Sequence, residues 1–115
     1  MEAKGSVLHF DDIMKLSIPA VRYALSFILK EKYNIRQQEI ANKLGITQAA
    51  VNKYLNKKCS EEIVRLGGKI IKMKNADQVA SRMIKAKKPG ERNNMIDKLA
   101  SNKEILKLAS GNLPV

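Results

Sequence analysis

Apolar residues recur along this chain at spacings of three and four, with polar residues filling the gaps, so the pattern predicts helices almost throughout. The most regular stretch is RQQEIANKLGITQAAVNKYLN, from Arg36 to Asn56. Ile40 and Leu44 lie four apart, as do Val51 and Leu55, which places each pair on one face of a short helix. The spacing predicts helices over Gln37–Leu44 and Gln48–Leu55, joined by Gly45-Ile46-Thr47, a link that only a tight corner between packed helices can use. Ala41 lets the two helices cross closely and Ile46 plugs the corner. Gly45 takes the left-handed backbone the corner needs, and Thr47 is a good N-cap for the second helix. The stretch therefore reads as a helix-turn-helix.

Upstream, residues 1–6 are expected to be disordered, Val7–Phe10 to be extended, and Asp11-Asp12 to start a short helix ending near Leu16. A firmer helix follows, capped by Ser17, with Pro19 in its first turn, a stripe of Val21, Leu25, Ile28 and Leu29, and an end near Tyr33-Asn34. As the supporting helix it should pack Ala24, Leu25 and Ile28 on Ile40, Leu44 and Val51.

Downstream, Ser60–Met73 carries Ile63, Leu66, Ile70 and Met73 on one face and Arg65, Lys69 and Lys72 opposite, which is helical spacing. Gly67-Gly68 weakens that reading by about 2 kcal/mol, and Lys69–Lys74 alternates well enough to be a rudimentary wing strand; helix is the preferred reading. The glycines would suit close approach of another helix at an interface. Asn75, with Gln78 three residues on, reads as a helix cap ahead of Val79, Met83 and Ile84, and Pro89-Gly90 as the stop. Further helices are expected from Glu91, carrying Met95, Ile96 and Leu99, and after Ser101-Asn102, carrying Ile105, Leu106 and Leu108, before the tail GNLPV ends the order. The expected fold class is all-α: a helix-turn-helix bundle over residues 1–58, then additional amphipathic helices over 59–115, with no substantial β-sheet.

Charge sharpens the picture. The 115 residues carry a formal net charge of +11, which points to a polyanionic partner. Residues 1–56 hold 8 basic and 5 acidic side chains, net +3, and residues 57–115 hold 14 and 6, net +8. Cys59 is the sole cysteine and His9 the sole histidine, so neither a thiolate metal cluster nor an intramolecular disulfide is available, and no cofactor is expected. Cys59 falls between Lys57-Lys58 and a helix start, a place where a thiolate would be somewhat stabilised. No Gly-rich phosphate loop or hydrolytic constellation stands out, so the chain is not read as an enzyme. No apolar run approaches the ~20 residues of a membrane span, and MEAKGS lacks a signal-peptide core, so a soluble, cytoplasmic protein is expected.

The run Ile18-Pro19-Ala20 with Arg22, followed by Gln37, Glu39-Ile40-Ala41, Leu44-Gly45-Ile46-Thr47-Gln48-Ala49-Ala50-Val51 and Tyr54-Leu55, resembles archaeal transcriptional regulators with an N-terminal helix-turn-helix of the Cro and phage-repressor type. The resemblance covers roughly a third of the chain, Ile18 to Lys58. It implies that Gln37 holds a phosphate at the start of the first helix and that Gln48 reaches a base at the start of the recognition helix. Where that family usually has a Ser or Thr cap, this chain has Arg36, which removes a side-chain acceptor and adds a possible phosphate contact. Members of that family often carry a cysteine-rich tail or a fused thiamine-pathway domain; neither is present in this sequence.

The face of the second helix that points away from Val51 and Leu55 bears amides, a methyl and a cation, the groups that read base edges in a major groove. Thr47, Gln48, Ala49, Asn52 and Lys53 are accordingly the candidate base readers. Arg36, Gln37, Asn56, Lys57, Lys58, Arg65, Lys69 and Lys72 are the candidate phosphate contacts. The expected function is sequence-specific regulation of transcription on double-stranded DNA. Since one reading head spans only about 4 to 5 base pairs, a homodimer is expected, with the helices after Ser60 as its interface. The alternative is a basic, chromatin-like architectural protein with little sequence preference, and a more distant one a protein-interaction or RNA-binding module that reuses the fold.

Overall fold

The computed structural model describes residues 10–86 and 89–112. The expectations for residues 1–6, for Val7 to His9 and for the last three residues fall outside that range. Among the described residues there are seven α-helices and no strand: α1 Phe10–Phe27, α2 Gln37–Leu44, α3 Gln48–Leu55, α4 Glu61–Ile71, α5 Lys74–Lys85, α6 Pro89–Ala100 and α7 Lys103–Asn112. A π-helical turn, Ile28–Lys32, continues α1.

Helix α1 is the axis of the molecule. Its Leu16, Ala20, Val21, Ala24 and Leu25, with Ile28 and Leu29 of the π-turn, are buried in one cluster that also takes Ile40, Ala41 and Leu44 of α2, Val51 of α3 and side chains from every later helix. Leu66 and Ile70 of α4, Met83 of α5, Ile96 and Leu99 of α6 and Ile105 of α7 belong to this same core. The apolar stripes after Ser60, which suggested an intermolecular surface, are thus buried within the chain.

Ser17 does not start a helix, because α1 runs through it from Phe10, and Pro19 lies in the helix interior. Phe10, expected to be extended, is helical as well. Pro19 removes one backbone bond and costs about 3 kcal/mol in a helix. Burial of Leu16, Ala20 and Val21 around it offsets that cost, and Ser17, wholly buried, turns its Oγ toward Met14 Sδ at 3.3 Å instead of capping. At the other end the sequence reading holds: the π-turn closes at Lys32, Tyr33 caps it, and Asn34 turns the chain with φ 55°.

Helix α4 contains both glycines, so no wing strand forms over Lys69–Lys74. Gly67 is buried against α1: a methyl there would run into the Tyr23 ring and stand 3.1 Å from the Ala20 carbonyl oxygen. The close approach expected of these glycines occurs inside the chain. Gly68, one residue on, has nothing within 4 Å.

Helix α5 begins two residues earlier than expected, with Met73 at its N-cap making no side-chain cap bond and Asn75 already inside. Its buried stripe is Ala76, Ala80 and Met83. Asp77 explains the early start, because it accepts hydrogen bonds from Tyr33 Oη at 3.0 Å and Lys32 Nζ at 2.8 Å, fastening the first turn of α5 to the end of the π-turn. Pro89 opens α6 rather than ending α5, as its fixed φ suits a first helical turn. Asn102 begins α7 by accepting from the Glu104 backbone N–H at 2.9 Å.

Two expected outcomes follow from these contacts. Gly67→Ala should lower stability by about 1–3 kcal/mol, since the added methyl meets a buried ring and a backbone oxygen. Gly68→Ala should raise it by about 1 kcal/mol, because open space leaves only the gain in helix propensity. Urea midpoints at unchanged slope would check both.

A third outcome concerns acid. The hydrogen bond from Lys32, then that from Tyr33, hold the Asp77 carboxyl below its ordinary value of 3.8. A depressed folded value means that the contribution is present above the unfolded value and is lost as pH falls through the folded one. The stability difference between the protein and Asp77→Asn should therefore be flat through the neutral range and shrink below pH 3.8, as thermal melts across pH would show.

Candidate nucleic-acid interface

The two helices α2 and α3 have the boundaries that the sequence predicts. Gly45 sits at φ 69°, and the chain turns there with Ile46 N–H bonded to the Ala41 carbonyl at 3.0 Å. Thr47 caps α3: its Oγ1 accepts from the Ala50 N–H at 3.0 Å. Inward, Ile40, Ala41, Leu44 and Val51 are buried, while Ile46 and Leu55 pack half-buried against them.

What remains outward on α3 is the expected face. Gln48, Ala49, Asn52 and Lys53 are exposed and, with Lys58, line one shallow concavity of about 540 Å³. The structure therefore brings four of the five candidate base readers together with one candidate phosphate cation. Thr47 is exposed beside them, though its hydroxyl oxygen is engaged in the cap.

The other candidates stand outside that concavity. Arg36 is the exposed N-cap residue of α2 and makes no side-chain cap bond, as the missing Ser or Thr implies; Gln37, next to it, is half-buried. Asn56 is exposed, but its side-chain amide turns back to donate to the Asn52 carbonyl at 2.8 Å. Lys57 ends α3 in left-handed backbone at φ 56°, and the Lys58 N–H closes the turn on the Lys53 carbonyl at 2.8 Å. A non-glycine residue in that conformation costs about 1–2 kcal/mol. Arg65, Lys69 and Lys72 are exposed at i, i+4 and i+7, forming one row along α4. None of these cations has a carboxylate partner among the described residues, where the ion pairs are Lys32–Asp77 and Lys43–Glu39.

Three features behind the face were not read from the sequence. Tyr54 of α3 is half-buried and meets Tyr23 of α1 edge-on, with ring centroids 6.3 Å apart, while Tyr23 also lies against Phe27 at 4.8 Å. Burial pushes the Tyr54 phenol up, against a smaller opposing pull from the Arg22 charge. Arg22 keeps its Nε buried with no hydrogen-bond partner. Finally, the Asn93 side chain of α6 reaches the helix-turn-helix corner, its Oδ1 lying 3.6 Å from where a Gly45 Cβ would stand. An apolar residue spaced for a stripe can be read locally; a contact between residues tens of positions apart leaves no such signal.

Cys59 departs from expectation. It is half-buried, near enough to Tyr23 and Tyr54 to affect both phenols, and burial pushes its thiol up from the ordinary value. The neighbouring lysines do not hold a thiolate there. No group of three His, Cys, Asp or Glu residues is placed to hold a metal ion among the described residues, and no described helix is long and apolar enough to cross a membrane.

Compared with known proteins, residues 20–65 match the family model described as winged helix-turn-helix DNA-binding. No match was found among curated proteins or among solved structures. The matched span runs from the middle of α1 through the π-turn, α2 and α3 into the first turns of α4, and so contains the corner, the exposed face of α3 and the helix behind it. In this chain the segment after it continues as the helix α4 and not as a wing. The chain thus folds its N-terminal part as a helix-turn-helix, in a segment similar to that DNA-binding family.

Proposed function

We propose that the protein is a sequence-specific transcriptional regulator that docks α3 in the major groove of double-stranded DNA. One observation carries this reading: in the segment matched to a DNA-binding family, the side chains left outward on α3 are Gln48, Ala49, Asn52 and Lys53. An amide can bond adenine N6 and N7 together, and a methyl can sit against the thymine C5-methyl, so the face holds base-reading groups as well as charge. Arg36, Gln37, Lys57 and Lys58 would meet the phosphates that flank the groove, with the row on α4 adding contacts that carry no sequence information.

The architectural reading draws on that same row, since Arg65, Lys69 and Lys72 are exposed without acidic partners among the described residues. Binding isotherms on a preferred and an unrelated duplex at several salt concentrations separate the two. Gln48→Ala or Asn52→Ala should cost about 1–3 kcal/mol on the preferred site and leave binding to the unrelated duplex nearly unchanged. Lys72→Ala should weaken both alike and lower the magnitude of the log-log salt slope by about 0.9. Silent amide substitutions would favour the architectural reading.

The regulator is also proposed to act as a homodimer, because one recognition helix reads too few base pairs to define a site. The inward stripes of α4 to α7 are consumed by the core, so pairing would use what those helices leave outward. Light scattering at tens of micromolar should give twice the 12.9 kDa mass of the chain; a monomer with and without DNA would rule the dimer out.

A further inference from the structure

A second concave site lies at the π-turn, away from the recognition face. Phe27, Ile28, Glu31 and Lys32 from the end of α1 and its π-turn, together with Ile71 of α4 and Asp77 of α5, enclose a cavity of about 270 Å³. Three of these side chains are apolar, and Phe27 and Ile71 are only half-buried, so their surface is available to a ligand. The volume lies just under the ~300–1,000 Å³ of typical small-molecule sites, which suits a body of about one ring. The backbone there is itself uncommon, since π-turns are rare and occur often at functional sites.

The charges around the cavity select the ligand. In a chain of formal net charge +11, the residues around this apolar wall include two carboxylates, Glu31 and Asp77, and a single ammonium, Lys32. Lys32 is already engaged with Asp77 at 2.8 Å, whereas Glu31 is exposed and has no ion-pair partner among the described residues. The Lys32–Asp77 pair is itself exposed, and such pairs contribute about 0–1 kcal/mol, so it can rearrange around a guest. An anion would meet Glu31 and Asp77; a cation would meet them favourably, with the Phe27 ring offering a cation–π surface.

We infer that this cavity is a binding site for a small lipophilic cation, an aromatic or alkyl ammonium, whose apolar body lies on Phe27, Ile28 and Ile71 and whose charge faces Glu31. The site is coupled to the reading head by covalent and hydrogen-bonded continuity. Tyr33 N–H bonds the Ile28 carbonyl at 3.3 Å and Ile35 N–H bonds the Leu29 carbonyl at 2.9 Å, and α2 starts two residues later. A guest in the cavity would brace the segment on which α2 hangs.

The test uses the full chain without DNA, so its outcome is independent of the proposed readout. Benzyltrimethylammonium is titrated against benzyl alcohol and benzoate, followed by calorimetry and by the methyl resonances of Ile28 and Ile71. The expected result is saturable one-to-one binding of the cation that shifts both methyls, weaker binding of the alcohol and none of benzoate. Glu31→Gln should weaken the cation about two- to fivefold, the loss of one solvent-exposed charge contact. Ile71→Trp should fill the cavity and abolish binding; if that variant does not fold, Glu31→Gln and the three-probe comparison decide alone. Absence of saturable cation binding at millimolar concentration, equal binding of the three probes, or an unchanged affinity in Glu31→Gln would overturn the inference.

Discussion

The approach of α4 to α1 at Gly67 is the constraint from which the rest of the arrangement follows. With no side chain at that position, the Tyr23 ring and the Ala20 carbonyl can lie directly on the α4 backbone. Tyr23, held there and only 3% exposed, presents its edge to Tyr54, and Tyr54 belongs to α3. A missing methyl on one helix thereby sets where a ring on a second helix stops, and that ring sets how a third is held. Packing at close to crystalline density makes such relays stiff, because no slack exists at either contact to absorb a shift.

The helix-turn-helix was legible because its information is local. Gly45, Thr47 and the i,i+4 pairs Ile40–Leu44 and Val51–Leu55 each act within a few residues, and the boundaries of α2 and α3 follow from them. The exposed face was legible by subtraction, as whatever those pairs do not bury. Elsewhere local signals lost to distant ones. Ser17 and Pro19 look like a helix start, yet burial on both sides carries α1 through them. Asn75 looks like a cap, yet Asp77 is fastened to Tyr33, 44 residues away, and α5 begins earlier. The glycines of α4 correctly announced a close approach and gave no means of knowing that the partner was Tyr23 in the same chain.

The later helices therefore support the helix-turn-helix directly. Leu66, Ile70, Met83, Ile96 and Ile105 complete the core on which α2 and α3 rest, and Asn93 of α6 touches the corner between them. Within such a core, a change in α6 or α7 is felt at the exposed face of α3 as a change of support and not of contact. The outward sides of these helices are left to carry charge, as the exposed row Arg65, Lys69 and Lys72 on α4 does.

Lys57 shows what this division asks of a single residue. Its backbone is left-handed, the conformation glycine adopts most cheaply, and its exposed cation follows directly after the recognition helix. Backbone conformation and surface charge rank the candidates for position 57 in opposite orders. A library of variants selected for resistance to heat would drift toward glycine there, and one selected for retention on an anionic column would keep lysine, so the residue found in a relative reports which of the two pressures its host applied.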